Sequence, residues 1–386
     1  RDVAPSRGLG DVYKRQTFQF AKNYGAILQA HALSSYIKND LHEECEIIQY
    51  CPVNSNASWK MYKRGHDLRD ILRNIYVFFN LKFKREFKEK NRIMQKAISE
   101  LLPLTEQRYT RESILENPPI ADAYICGSDQ VWNFVKCFDD PTYFFDFTKS
   151  MKNIRKIGYA PSIADPWPKS RWEEFKGYLS NMDFISVREK SDVAVVEHLS
   201  GKPVAHVIDP VFLKTRKYWD SLSEDMNIST PYIFCYFLGT NDLAVNLVNK
   251  VKQLTGYKIV HLNLNARDRF NSDYNLRAVL PQQFIGLIKN AAYVCTNSFH
   301  CSAFSIIFRK NYLVAPKGFA NARMESLQET FGLNNRMFVE EMIENMTPEL
   351  MTVDYSRADA QFAPFKEKSK QYLNNALYGE ANKSGR

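Results

Sequence analysis

Residues 296–305, TNSFHCSAFS, carry the residue types best suited to chemistry. Thr296, Asn297 and Ser298 can cap a helix. His300 then starts an apolar helical run that includes Phe304, Ile307 and Phe308. A histidine beside such a turn can move a proton near neutral pH. The unpaired amides of a helix's first turn suit an anion. A capped helix with a satisfied histidine has the same pattern, so spacing leaves both readings open. The stretch before it, Ala292 to Cys295, reads as a short buried strand. A strand feeding a helix through a polar turn is half of a βαβ unit, and in open α/β sheets ligands bind at such strand ends.

Other strand ends repeat this arrangement. In ADAYICGSDQVWN (121–133), Tyr124–Cys126 finishes a strand and Gly127 makes the turn. Ser128, Asp129 and Gln130 follow, and Asp129 or Gln130 can hold a sugar hydroxyl. An Asx-type turn anchored by a packed Trp132 is the equal alternative. In FISVREKSDVAVVEHL (184–199), Arg188 stands where the strand stops. Its fork of donors suits a phosphate or carboxylate, or it pairs with Glu189 or another neighbour. AHVIDPVFL (205–213) ends with Asp209 and Pro210, where proline disfavours helix at the residue before it. Asn23, Tyr24 and Gly25 form a further turn before a helix expected over about 26–37, with Gly25 tolerating close backbone approach or positive φ.

The elements that would position these groups divide into two units. A chain of 386 residues can form two domains of ordinary size. The repeated strand ends predict a doubly wound sheet, and the polar, turn-rich stretch 214–230 marks a boundary. PYIFCYFLG (231–239), YKIVHLNL (257–264) and NYLVAPKG (311–318) then supply strands of a second sheet. The expected division is an N-terminal Rossmann-like domain over 17–215 with a helical insertion at 57–101, a second such domain over 229–356, a terminal helix over 357–376 and a disordered tail over 377–386.

The first sixteen residues do not fit this frame. DVYKRQ (11–16) matches the translation of a transposon end common in sequencing libraries. Residues 1–16 are therefore expected to be a non-native flank, and the first domain is expected to lack the strand that should precede Thr17.

Charge and cysteine content narrow the function classes. The net charge is +9, and residues 60–96 alone hold twelve Lys or Arg against four Asp or Glu. That stretch includes LKFKREFKEKNRIM, a basic amphipathic helix. It suits an anionic membrane surface or a lipid-phosphate acceptor, or is simply a solvated face. No nucleic-acid partner is expected, because no nucleic-acid-reading motif accompanies it. No apolar run reaches the length of a transmembrane helix. The seven cysteines include no CxxC pair, so neither a zinc knuckle nor a secreted disulfide scaffold is expected. The setting this predicts is the cytoplasm, with peripheral contact at the inner face of the membrane.

Taken together, NYGAILQAHAL (23–33), ICGSDQVWN (125–133), SVREKS (186–191), DPVFL (209–213) and TNSFHCSAFS (296–305) resemble the polysaccharide pyruvyl transferase family in order and spacing. The resemblance covers nearly all of 17–340. It implies an α/β fold of two Rossmann-like domains facing a cleft, GT-B-like. It also implies transfer of pyruvate from phosphoenolpyruvate to a sugar of a polysaccharide or lipid-linked glycan, forming a ketal. His300 matches the family's histidine and would be the catalytic residue; Arg188 matches its strand-end arginine. Arg188, Asn297, Ser298, Asn23, Tyr24, Gly25, Ser128, Asp129, Gln130 and Asp209 are the candidates for holding donor or acceptor. No metal or cofactor is expected, the donor being a substrate. Two positions depart from the family pattern. Ser298 stands where an arginine is frequent, and Cys301, where glycine is frequent, would narrow an anion pocket. A glycosyltransferase using a nucleotide-sugar donor is the first rival, and a non-catalytic binding protein of polysaccharide assembly the second.

Overall fold

A computed structural model describes residues 11–52, 61–62, 68–135, 140–229, 231–265, 267–316 and 321–379. The first lobe opens with strand β1 (Val12–Gln16), helix α1 (Tyr24–Asn39) and strand β2 (Glu44–Tyr50). A helical hairpin follows, α2 (Leu68–Phe79) and α3 (Leu81–Leu101), and then β3 (Leu104–Tyr109), α4 (Arg111–Glu116), β4 (Ala123–Cys126) and β5 (Arg155–Gly158). The lobe is extended by α5 (Trp172–Ser180), β6 (Ile185–Val187), α6 (Val193–Ser200) and β7 (Val204–His206). All strand pairs are parallel, in the order β3-β2-β1-β4-β5. A bridge between Ile157 and Phe184 carries the β6–β7 pair onto the β5 edge.

Helix α7 (Arg216–Leu222) lies in the segment between the lobes. The second lobe then runs β8 (Tyr232–Tyr236), α8 (Asp242–Thr255), β9 (Lys258–Leu262), β10 (Tyr274–Leu276), α9 (Pro281–Asn290), β11 (Tyr293–Thr296), α10 (Phe299–Ile307) and β12 (Asn311–Val314). Its strands order as β10-β9-β8-β11-β12, again parallel. Helices α11 (Ala322–Phe331), α12 (Glu340–Glu344) and α13 (Pro348–Met351) complete it. The last helix, α14 (Ala358–Tyr378), leaves the second lobe through the stacked pair Phe331–Phe362 and ends on the first. There Tyr372 donates to the Gly158 carbonyl at 2.8 Å.

Each lobe therefore carries the same permutation of its first five strands, with the switch of direction between the first and fourth. That is where an open parallel sheet parts its loops and takes ligands. The two lobes face a cleft and form a GT-B-like pair of Rossmann-like domains. They are also joined by apolar packing. Tyr24 of α1 stacks on Phe284 of α9 at 4.8 Å, and Trp219 of α7 meets the edge of Phe304 on α10 at 4.9 Å.

The expectation of a missing first strand is not met. Val12–Gln16 forms the central strand of the first sheet and pairs with both β2 and β4. The sequence hides it because a strand covered on both faces normally reads as an apolar run, whereas this one is VYKRQ. A backbone ladder forms regardless of side chain, and here it buries Arg15 and Gln16 completely. Among the described residues the insertion's first helix spans Leu68–Phe79; its expected start near 57 falls on residues 53–60 and 63–67, which lie outside the described residues. The final helix continues to Tyr378. Most of the expected flank (1–10) and most of the expected tail (380–386) also lie outside the described residues.

Candidate active site

Every sequence-selected residue falls at the carboxyl end of a strand or in the first turn beyond it. Asn23, Tyr24 and Gly25 follow β1, and Ser128, Asp129 and Gln130 follow β4. Arg188 follows β6, Asp209 follows β7, and Asn297, Ser298 and His300 follow β11. The folding brings some of these groups together and withdraws others.

Asp209 is the meeting point. Its carboxylate is buried and accepts from Arg188 Nη1 at 2.9 Å, from Ser128 Oγ at 3.3 Å and from the Val211 amide at 3.1 Å. His300 Nε2 lies 3.5 Å from the same carboxylate. Burial opposes ionisation of Asp209, but His300, Arg188 and the Val211 amide outweigh it and hold the carboxyl well below the usual carboxylate range.

Arg188 is wholly buried. Burial opposes its charge, but Glu189, Asp209 and Asp129 together raise its proton affinity above the ordinary arginine value. Its Nε donates to Glu189 Oε1 at 2.9 Å, and its guanidinium lies 4.2 Å from the Phe299 ring centroid. The salt-bridge alternative for Arg188 is thus realised, with two carboxylates. One donor, Nη2, is left buried without a partner, as is Nε2 of His300. Both groups flank the Asp209 carboxylate.

His300 is supplied by the second lobe but housed by the first. Ser298 caps α10, accepting from the Cys301 amide at 3.5 Å, which fixes the turn that carries the ring. The ring then lies against Gly25 in the first turn of α1. A Cβ added to Gly25 would stand 2.2 Å from His300 Nδ1 and 2.4 Å from Cγ. Gly25 is helical, so the positive φ allowed for it is not used; what it provides is close approach between lobes.

Three expected contacts take other roles, and the expected narrowing by Cys301 is not met. Tyr24 is completely buried between the lobes against Phe284 and Tyr236, so it packs rather than faces the cleft. Asn23 caps α1, its Oδ1 accepting from Gly25 N at 2.9 Å. Asn297 stitches two loops, with Oδ1 accepting from Leu238 N at 2.7 Å and Nδ2 donating to Gly239 O at 3.0 Å. Cys301 is wholly buried in the apolar core and does not narrow the cleft; burial pushes its thiol up to about 12.

Asp129 adopts φ 76°, and its side chain accepts from the adjacent Gln130 amide at 2.9 Å, one residue on rather than the two of an Asx turn. Trp132 anchors this loop, stacked on Phe144 at 5.1 Å. Gln130, with its amide oxygen turned toward α11, accepts from Arg323 Nη2 at 3.0 Å. Arg323 belongs to this cluster although no motif marks it. Burial first, and Arg188 second, lower its pKa. Two like charges close enough to disturb each other are better accommodated with an anion between them.

Burial and then the Glu189 carboxylate raise Asp192 to about 7. A narrow, solvent-open pocket lies beside Arg188, Glu189, Asp209 and Arg323, walled otherwise mainly by Phe212, Phe299, Phe331, Phe362 and Phe365. His300 does not line it, so the pocket and the histidine flank the Arg188–Asp209 pair separately.

The two-lobed class is shared with solved structures. S. aureus MnaA in complex with UDP superimposes with a TM-score of 0.53 at 12% identity, covering 98% of this chain and 99% of that one. A UDP-N-acetylglucosamine 2-epimerase gives 0.54 at 9% identity, covering 98% of each. At such identities the likeness is one of fold. No curated protein matches the chain. The profile of the polysaccharide pyruvyl transferase family matches residues 23–313. The chain belongs to that family, and so to the GT-B-like enzymes that act on sugars and glycans.

Proposed function

We propose that the protein transfers the pyruvyl group of phosphoenolpyruvate onto two hydroxyls of a sugar in a polysaccharide or lipid-linked glycan precursor, forming a ketal. The observation that carries this reading is His300, set against Gly25 of the other lobe with Nε2 3.5 Å from Asp209. The reaction needs a proton delivered to the enol CH2 and protons removed from two sugar hydroxyls; the second proton leaves with phosphate. A histidine near its working pH can carry part of that traffic. Asp209, 3.5 Å from Nε2, fixes the ring's direction. Arg188 Nη2, Arg323 and the first amides of α10 are the groups available to phosphate and carboxylate. Within this reading Arg188 has a narrower part than a free donor clamp, since Glu189 and Asp209 already take two of its donors.

That neutralisation favours a second reading, transfer from a nucleotide-sugar donor. A small trianion asks for more free cationic charge than Arg188 offers, and Ser298 supplies none where the family frequently has arginine. The UDP bound by the S. aureus neighbour is of the class this reading requires. The structural neighbours weigh on its side, family membership on the side of phosphoenolpyruvate.

One experiment separates the two. Phosphoenolpyruvate and a panel of UDP-sugars are offered to the protein, and the donor is the one that raises the melting temperature with concentration. Single-turnover rate is then measured for His300→Gln. Turnover is expected to fall roughly 10²–10⁴-fold with donor Kd little changed. A variant that turns over at the parental rate would remove His300 from the chemistry. If neither donor class stabilises the protein, the non-catalytic rival is supported.

A further inference from the structure

The hairpin α2–α3 carries an amphipathic helix turned the wrong way round. Among the described side chains of α2, Val77 is buried and faces the protein. Ile71, Leu72, Ile75, Phe78 and Phe79 share the opposite face and are exposed, Phe79 by 76%. Leu81, at the start of α3, continues the patch at 74%. A surface helix ordinarily turns its apolar stripe to the core, and contiguous exposed apolar residues on this scale mark an interaction surface.

Basic side chains border the patch. Lys84 lies 5.1 Å from the Phe78 ring centroid, Lys82 is 86% exposed, and Arg85 and Lys88 project from the same helix. The nearby acids are engaged within the fold. Glu86 pairs with Arg277 at 2.8 Å and Glu89 with Arg92 at 2.6 Å. A basic rim around an apolar face is the composition of a helix lying in the interface of an anionic bilayer. A second copy of the chain would set one basic rim against another, and like charges oppose that. The helix has twelve residues, and among the described residues no helix is long and apolar enough to cross a membrane. Such a helix lies in the surface rather than spanning it.

We propose that the α2 face docks the protein onto an anionic phospholipid bilayer. The placement gives this docking a purpose. The hairpin leaves the first lobe but rests on the second, where Arg277 lies 5.0 Å from the Phe83 ring and Arg267 lies 4.9 Å from Tyr76. Arg277 also donates to the carbonyl of Asn265, whose side chain reaches Thr240 at 3.1 Å. Asn265 and Thr240 stand in the loops after β9 and β8, at the cleft end of the second sheet. Seating the patch in lipid therefore brings the cleft's mouth close to the headgroups. The inference holds whichever donor the protein uses.

The test is sedimentation of the full chain with vesicles, in the absence of donor and acceptor. Vesicles of phosphatidylcholine containing phosphatidylglycerol are compared with phosphatidylcholine alone, at low and high salt. The expected result is binding at least about tenfold stronger to the anionic vesicles, weakened by salt. Phe78→Ser with Phe79→Ser should weaken it by about tenfold or more. Lys82→Glu with Lys88→Glu should erase the preference for anionic lipid. If the Phe78/Phe79 variant melts early, Leu81→Ser is read in its place. The proposal is overturned if the parent stays in the supernatant with anionic vesicles, or if the apolar variants bind as the parent does. It is equally overturned if gel filtration shows a concentration-dependent dimer that the Phe78/Phe79 variant dissolves, because a second copy would then cover the patch.

Discussion

Strands β1 and β8 hold the same central place in two sheets of the same order, yet they are made of opposite materials. In β8, YIFCY, every residue is buried and apolar or nearly so. In β1, VYKRQ, Arg15 is buried so completely that desolvation lowers its pKa to about 10. Arg15 Nη1 donates to Ala30 O at 2.6 Å and Ser34 Oγ at 2.7 Å, and Nη2 donates to Gly127 O at 2.8 Å, while Nε has no partner. Neither side-chain amide atom of Gln16 has a partner. The second lobe is thus consistent from pattern to packing, and the first is held by its neighbours in spite of its central strand. The difference teaches that strand order and backbone register are set by what surrounds a strand, whereas its stability is set by its own side chains.

The comparison is broken most strongly through Asp209, where the lobes share their charges. Asp209→Ala leaves Arg188 buried without one of its two carboxylates. It is expected to cost roughly 3–5 kcal/mol in urea unfolding, seen as a lower midpoint at unchanged slope. Retention of parental stability would mean that Arg188 reaches another partner. Next comes Gly25→Ala, a first-lobe change that acts on a second-lobe residue. The added Cβ displaces His300, and turnover is expected to drop by about a hundredfold, with the melting temperature moving far less. Equal activity would show that the ring has another resting place.

The comparison is sharpened by Gln16→Leu, which replaces two buried orphaned atoms with an apolar side chain. It should stabilise the protein by about 1–3 kcal/mol in the same urea assay, making β1 more like β8. A loss of stability would show that Gln16 is bonded in solution. The remaining test is a pH dependence at Asp192. Its pKa is about 7 in the folded protein against an ordinary 3.8, so the folded state binds more protons between those values. Its contribution to stability therefore falls as pH rises across that window. Asp192→Asn removes the effect. The melting temperature of the variant relative to the parent should climb from about pH 4 to about pH 7 and level off above. A difference that does not change with pH would place the Asp192 carboxyl in ordinary solvent.

What was legible in the sequence follows the same division. Strand–turn–helix units with a capping residue, such as Thr296 to Ser298, could be read because cap chemistry and apolar runs are local. β1 could not, because its side chains contradict its position, and β10 (YNL) is too short and polar to announce itself. The outward face of α2 was hidden as well: periodicity reveals a stripe but not which way it turns. In the site, strand ends located the right loops, yet the choice among their residues needed the tertiary structure. Asn23 and Asn297 have the polar types of ligand-binding residues and are occupied in capping and stitching. Tyr24 is taken up by packing between lobes. Gly25's service to His300 crosses from one lobe to the other, and Arg323 sits in a helix with no motif, so neither leaves a local signature. Glu189 was in view only as a partner for Arg188.

Helix α14 has a consequence for how the chain is made. Tyr372 closes on Gly158 across 214 residues of sequence, and Ser369 accepts from the Ile208 amide at 3.1 Å. At a synthesis rate of about 5–20 residues per second, that interval is on the order of ten to forty seconds. Through the later part of it the first lobe is outside the ribosome, its β5 edge met by β6 but lacking the α14 contact. The nascent protein therefore passes through a period in which one domain waits for a helix that is not yet translated, and it is in that period that a chaperone would find something to hold.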